Sequence, residues 1–366
     1  MFVAFRDLRH ARGRFALMLG VITLIAVLVT FLSSLTAGLA RESTSAVTDL
    51  PVDHLTFGEP APGDSPDFTS STVTSEQREA WAAAAAAGSE NVEMLGVATA
   101  RARSAATTAA ITVFGVEAGS RLLPAGAPAP STGTIAVSRG AADDLSVAVG
   151  DSVSLGGTEM KVSTVLDVDS SYAHTPVVWA ALTDWQVLGA GTPSAAEQVV
   201  ATVLAVAGDV DADTTRRADA AAGTTTLGLT AARTAIGSFS SENGSLLTMQ
   251  VFLVVISALV VGAFFTVWTV GRSGDIAVLK ALGASTRYLL RDAVGQALVV
   301  LLLGVGAGTA VAMIGATLLS GVIPLTVTLT TTLLPAAALI VLGLVGAVMA
   351  VARIASIDPH AALASR

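Results

Sequence analysis

Four long apolar segments, none containing Asp, Glu, Lys or Arg, decide what this chain can fold into. They are residues 15–40, 246–271, 293–320 and 333–352. Each exceeds or meets the roughly 20 residues that a helix needs to cross about 30 Å of hydrocarbon. A bilayer leaves no water to satisfy backbone groups, so such segments cross it as helices. Composition agrees: 52% of the 366 residues are hydrophobic, 13% are charged, and the mean hydropathy is +0.71. The first segment has the basic front of a signal peptide. Its apolar core of 26 residues exceeds the roughly 7–15 of a signal core, so an uncleaved span is expected.

Charge gives the expected direction of crossing. Arg6, Arg9, Arg12 and Arg14 precede the first span against Asp7 alone. Arg272, Lys280, Arg287 and Arg291 lie between the second and third spans against Asp275 and Asp292. Basic residues favour the cytoplasmic side, which places both termini and the 272–292 loop inside. Residues 41–245 are then extracytoplasmic. They hold 10 Lys and Arg against 24 Asp and Glu, a net −14, whereas the rest of the chain holds 10 against 4, a net +6. The overall −8 averages two opposite parts and gives no sign of a nucleic-acid partner.

The expected fold is an α-helical membrane protein with four transmembrane helices and an α+β extracytoplasmic domain inserted between the first and second. The divisions are 1–14 (amphipathic N-terminal segment), 15–40, the outer domain 41–245, 246–271, the cytoplasmic loop 272–292, 293–320, a short external loop 321–332, 333–352 and a cytoplasmic tail 353–366. Within the outer domain, Thr74-Ser75-Glu76-Gln77 fits a capping box before an Ala-rich helix that Gly88 would stop. Alternating or β-branched runs at 111–116, 133–137, 152–155, 160–165 and 199–206 predict strands, with Gly156-Gly157 as a hairpin turn. Residues 216–223 and 229–240 read as helices. Residues 60–71, rich in Pro, Gly, Ser and Asp, read as a mobile solvated loop.

Several chemistries find no support. The absence of cysteine excludes disulfides and thiolate sites. No phosphate-binding loop, zinc-protease motif or nucleophile elbow is present. His10, His54, His174 and His360 are scattered, so no intrinsic metal site or cofactor is expected. The spans carry no ionisable residue to relay ions or protons. The chain is therefore expected to be no enzyme, with no catalytic residues, and to draw its energy from elsewhere.

The loop Arg272-Ser273-Gly274-Asp275-Ile276-Ala277-Val278-Leu279-Lys280-Ala281-Leu282-Gly283-Ala284-Ser285 resembles the R-x-x-E-I-x-x-L-K-A-L-G-A-S signature of the FtsX-like, MacB-type permeases. Asp275 replaces the family's Glu with the charge kept, and Gly274 replaces the usual basic residue. Phe5-Arg6-Asp7-Leu8-Arg9 resembles the family's N-terminal helix. Ala352-Arg353-Ile354-Ala355-Ser356-Ile357-Asp358-Pro359 with Leu363 resembles its C-terminal tail, and Val149-Gly150-Asp151-Ser152-Val153 a stretch of its outer domain. Ile276, Leu279 and Gly283 make one apolar stripe at helical spacing. The spacing alone fits a membrane-surface helix or a docking helix. The resemblance implies docking: two copies of the chain with two separate ATP-binding subunits of ABC type, contacted through Asp275, Ile276, Leu279, Lys280, Leu282 and Gly283. It also implies a bacterial cell membrane and long first and second spans that pass ATP-driven motion outward.

Cargo is less constrained. Tyr172-Ala173-His174-Thr175-Pro176-Val177-Val178-Trp179 and Asp184-Trp185 resemble the family's haem-efflux branch, which implies haem as substrate. Haem needs a flat wall and an axial ligand. On a continuous helix Phe31, Leu35 and Gly38 lie on the face of Glu42. That face offers an aromatic ring, a gap at Gly38 and an oxygen ligand, with Arg41 for a propionate and Met249 and Phe252 at the start of the second span. The same residues fit dimer packing and ordinary interfacial charge. Other cargo (peptide, macrolide or lipid) stays open, as does a transmitter that activates a cell-wall hydrolase and transports nothing.

Overall fold

The computed structural model describes residues 12–85, 91–189, 200–271, 274, 278, 282–283, 285–319 and 322–355. They fall into two compact units, one formed by the chain up to Leu39 and from Gly244 onward, the other by Ala40–Asn243. Among the described residues, four helices are long and apolar enough to cross a membrane. They are α1 (Arg12–Thr48), α7 (Gly237–Gly271), α8 (Thr286–Leu319) and α9 (Leu329–Ala355). The mixed α/β domain lies between the first and second of them, as the hydropathy pattern predicts.

In the membrane unit, α1 presents Phe15, Met18, Ile22, Ala26 and Val29 as one buried stripe at the spacing of a single helical face. This stripe joins Val261 and Phe265 of α7, Val300, Leu301 and Val305 of α8, and Leu339 and Ala347 of α9 in one core. Glycine allows the closest approaches. A Cβ on Gly308 would lie 2.5 Å from both the Ala26 Cβ and the Thr23 carbonyl oxygen, and one on Gly346 would lie 3.0 Å from the Gly262 Cα. Small residues of this kind let helix backbones pack closely where lipid supplies no hydrophobic drive.

The outer unit contains strands β1 (His54–Gly58), β2 (Val73–Thr74), β3 (Val92–Arg103), β4 (Thr108–Val116), β5 (Thr134–Ser138), β6 (Ser152–Leu155), β7 (Thr158–Leu166), β8 (Ser171–Tyr172), β9 (Thr175–Ala181), β10 (Val200–Ala201), β11 (Val203–Val206) and β12 (Thr224–Gly228). The main sheet runs β12-β1-β11-β3-β4-β9-β5-β7-β6, and β6 also pairs with β3. Six strands therefore close on themselves through Ala102↔Leu155, which leaves fewer open edges. The β4/β9 and β5/β7 pairs are parallel. The Gly156-Gly157 turn joins β6 to β7 with positive φ at both residues, the geometry glycine supplies at least cost.

Helices α2 (Ser75–Ala84), α3 (Arg139–Leu145), α4 (Leu182–Gly189) and α5 (Ala212–Ala222) complete this unit with the short α6 (Leu229–Ala232). The predicted capping box is present: Thr74 accepts from the Gln77 N–H, and Gln77 accepts in return from the Thr74 N–H. The proposed stop at Gly88 lies outside the described residues. At α5, Asp211 caps Thr214, whose hydroxyl and N–H together hold its carboxyl below the ordinary range. Both sheet faces are covered. One core contains Trp81, Trp185 and Leu204; the other contains Phe57, Phe114, Tyr172 and Trp179.

Three expectations need correction. The predicted 229–240 helix is three pieces: α6, a 3-10 turn at Arg233–Ala235, and the start of α7 after the extended Ile236. The predicted 199–206 strand is broken, with β10 and β11 flanking Thr202, whose hydroxyl accepts from the Val97 N–H at 2.8 Å. Residues 60–71 are more than a solvated loop. Phe68 is buried within ring contact of Phe57 and Tyr172, and its N–H donates to the Ala235 carbonyl at 3.2 Å.

Candidate functional site

The outer end of α1 does not stop where its apolar residues do. Beyond Ala40 the helix continues through Arg41-Glu42-Ser43-Thr44-Ser45 to Thr48. Polar residues hold helix here because their partners are tertiary. Ser43, Thr44 and Ser45 are buried. Ser45 exchanges bonds with Ser171, accepting from its N–H at 2.9 Å and donating to its carbonyl at 3.3 Å. The Ala173 N–H donates to the Ser43 carbonyl at 2.9 Å, and the Ser43 hydroxyl lies 3.2 Å from that of Ser238 on α7. Ala46, Val47 and Leu50 then enter the same core as Ile236, Phe239, Phe57 and Tyr172. The outer ends of α1 and α7 are thus built into the sheet domain. Burial, and secondarily Asp67, push the Tyr172 hydroxyl above its usual range, so it stays a neutral core phenol.

Glu42 projects from this junction half-exposed. Its Oε2 lies 3.6 Å from His174 Nδ1, and His174 Nε2 lies 2.8 Å from Glu242 Oε2. Arg41 is directed to Asp49 at 3.3 Å. In the membrane unit Phe31 and Leu35 are partly buried on α1, and Met249 and Phe252 are exposed on α7. Gly38 departs from the expected gap. A Cβ there would lie 1.8 Å from the Pro324 carbonyl oxygen, and the Thr326 N–H donates to the Ser34 carbonyl at 3.1 Å. The loop before α9 occupies that space, so Gly38 is a packing glycine and not an open wall. Among the described residues no three His, Asp or Glu side chains are arranged to hold a metal ion. His174 and Glu242 were missed as partners of Glu42 because no local pattern ties a hairpin tip to two helix ends.

The residues expected from the sequence to contact an ATPase are only partly described. Asp275, Ile276, Leu279 and Lys280 lie outside the described residues. Leu282 is 79% exposed, and its N–H donates to the Val278 carbonyl at 3.0 Å. Gly283 has φ +93°, the left-handed conformation that ends helical turns. Two residues on, Ser285 accepts from the Tyr288 N–H at 3.3 Å and caps α8. Among the described residues, Leu282 and Gly283 form a turn and Ser285 starts α8, with Leu282 exposed before the cap.

A further concavity of about 660 Å³ in the outer unit is bordered by Glu59, Asp64, Asp67, Ser71 and Gln77. Its floor is tied down by Ser71, which donates to the Thr202 carbonyl at 2.7 Å and accepts from the Gly58 N–H at 3.1 Å.

Comparison with known proteins follows the same division of the chain. Residues 247–359 match the FtsX-like permease C-terminal domain. The whole chain is 25% identical over 366 residues to a protein of Staphylococcus haemolyticus named as a hemin transport system permease, HrtB, covering 99% of each. An HrtB of Staphylococcus epidermidis is 27% identical over 128 residues, 35% of this chain and 37% of that one. Among solved structures, the extracellular domain of the ABC-type transporter YknZ from Gram-positive bacteria aligns at a TM-score of 0.33 and 14% identity, over 46% of this chain and 89% of that one. The periplasmic region of MacB from Actinobacillus actinomycetemcomitans aligns at 0.32 and 8%, over 50% and 91%. With four membrane-type helices and an FtsX-like permease C-terminal domain over residues 247–359, the chain is similar to the permeases of that family along its length.

Proposed function

We propose that the chain is the membrane subunit of an ATP-driven haem exporter, working as two copies with two copies of a separate ATPase. The observation that carries the cargo assignment is the likeness to a named hemin permease along the full length of both chains. The ATPases would act on the cytoplasmic side, where the basic residues flanking the 272–292 loop place it. Support for transmitted motion comes from α1 and α7, whose outer ends are continuous with the core of the sheet domain. A displacement at their inner ends would be carried outward along unbroken helix. At about 1.5 Å per residue, their 37 and 35 residues exceed what the hydrocarbon alone requires.

Haem is flat, apolar and anionic at its propionates, and it partitions into membranes. In this reading Glu42 supplies an oxygen ligand to its iron, with Phe31 and Leu35 on the same helix. The packing at Gly38 removes one wall of the site anticipated from sequence, and Arg41 must leave Asp49 to meet a propionate. The test is direct. Purified protein titrated with hemin is expected to show a shifted Soret band that Glu42→Ala abolishes, and cells lacking the gene are expected to be hypersensitive to hemin. Unchanged spectra in Glu42→Ala would sink the ligand assignment. Unchanged hemin tolerance in the deletion strain would sink haem as cargo.

A further inference from the structure

The side chain facing Glu42 sits at the tip of an unusual turn. β8 and β9 pair through Ser171↔Pro176 and Tyr172↔Thr175, which leaves Ala173 and His174 as a two-residue connection. Their φ values are 49° and 62°. This left-handed pair is the geometry of turns that favour Asn-Gly and similar sequences. Non-glycine residues persist there only where their surroundings over-determine the backbone. The surroundings are the serines of α1: Ser45 bonded to Ser171, and the Ser43 carbonyl bonded to the Ala173 N–H. Thr175 adds a bond to the Tyr172 carbonyl at 2.7 Å that closes the turn. The tip is therefore fixed, and it delivers one imidazole between two carboxylates, one from each long helix.

The two contacts are unequal. His174 Nε2 is within hydrogen-bond distance of Glu242, at 2.8 Å, while Nδ1 is 3.6 Å from Glu42. A ring in this position can donate to both carboxylates only with both nitrogens protonated. Glu242 is the anchor at hydrogen-bond distance, and Glu42 is the partner at longer range. To turn toward a haem iron, the Glu42 carboxylate has to leave this contact.

We propose that His174 is a gate on Glu42. Anchored through Glu242, it holds the Glu42 carboxylate in an unloaded arrangement and must release it before a haem iron can be bound. The longer contact breaks first, so the ring stays with α7 as Glu42 turns to the substrate. The substrate part of this proposal rests on the reading of Glu42 as haem ligand; the bridge between the helix ends does not.

Two measurements on the full-length protein in nanodiscs test it. In the first, hemin is titrated into the wild type, His174→Ala and Glu42→Ala. Removing an exposed charge contact of this kind is expected to tighten hemin binding about two- to fivefold in His174→Ala, with the wild-type Soret position kept. Equal or weaker binding in His174→Ala, with the signature lost in Glu42→Ala, overturns the gate and leaves the ligand reading intact. A wild-type spectrum in Glu42→Ala overturns the ligand reading and the substrate half of the gate together. The second measurement needs no haem. The chain has no cysteine, so nitroxide labels on Thr48→Cys and Ser241→Cys, with the labelled chain diluted into unlabelled chain, report the two helix ends. His174→Ala is expected to broaden their distance distribution, and an unchanged distribution overturns the bridge. If His174→Ala does not fold, His174→Asn serves in both, because Asn accepts the left-handed turn and is too short to span both carboxylates.

Discussion

Trp185 shows how a residue singled out in the sequence can belong to packing alone. Its indole lies over Gly96 and Gly115, which face each other across the β3/β4 pair. A Cβ on Gly96 would come within 2.3 Å of Trp185 Cδ2, and one on Gly115 within 2.4 Å of Trp185 Cβ. Neither φ is left-handed, so these glycines are needed for space and not for backbone freedom. Gly96→Ala and Gly115→Ala are each expected to destabilise the outer unit by about 1–3 kcal/mol, the usual cost of overpacking a full core. Thermal unfolding followed by the fluorescence of the buried tryptophans measures this, and an unchanged midpoint in both variants would refute the packing account. Trp185 is 6% exposed, so it packs in the core of the sheet domain and is not open to a ligand. Glu42 was legible as the first acidic side chain beyond a span. Its partners were not, since the Ala-His turn that carries His174 has none of the residues that normally announce a tight hairpin.

At the scale of elements, hydropathy located all four long helices but understated each of them at one end or both. The apolar run of the first ends at Ala40, whereas α1 continues to Thr48. Ser43, Thr44 and Ser45 look like a helix exit in sequence; the hairpin and α7 satisfy Ser43 and Ser45, and the Thr44 hydroxyl donates to the Ala40 carbonyl within α1. Strands with clean alternation, such as β6 and β7, were readable. β3 was not, because its Ala, Gly and Arg residues pair on both sides with strands distant in sequence. Glycines on α8 divide by face. Gly304 and Gly308 meet Ile22 and Ala26 of α1, whereas a Cβ on Gly306 would meet nothing within 4 Å. Gly308→Val is therefore expected to reduce the yield of monodisperse protein and lower its melting temperature, because the Thr23 carbonyl it would strike is backbone and cannot rotate away. Gly306→Val is expected to be tolerated. Equal behaviour of the two variants in size-exclusion and thermal-shift assays would refute the proposed α1/α8 contact.

At the scale of the whole molecule, the sequence divides by charge and hydropathy in the same places where the structure divides by contact. The negative outer unit carries its own two cores and the membrane unit a third. The closure of the six-stranded ring was invisible beforehand because the β3/β6 pairing is set by tertiary register and leaves no local trace. In the proposed reading the ATPase contact lies in the 272–292 loop, and there the structure describes a short stretch. Leu282 lies in a turn, donates its N–H to the Val278 carbonyl and is 79% exposed. Gly283 then reverses the backbone, and Ser285 starts α8. An exposed leucine in a turn before a helix cap contributes nothing to the fold of its own chain, yet burying such a side chain in a partner is worth about 1.5–3 kcal/mol. Leu282→Glu is accordingly expected to leave expression, membrane insertion and the α8 cap intact while reducing recovery of the co-expressed ATPase at least about tenfold, the equivalent of 1.4 kcal/mol. Affinity purification of the tagged permease with its ATPase, quantified by gel densitometry, makes the measurement. Recovery of the ATPase at the wild-type ratio would show that Leu282 faces lipid headgroups, and the grip of the motor would then have to be sought elsewhere on the cytoplasmic face.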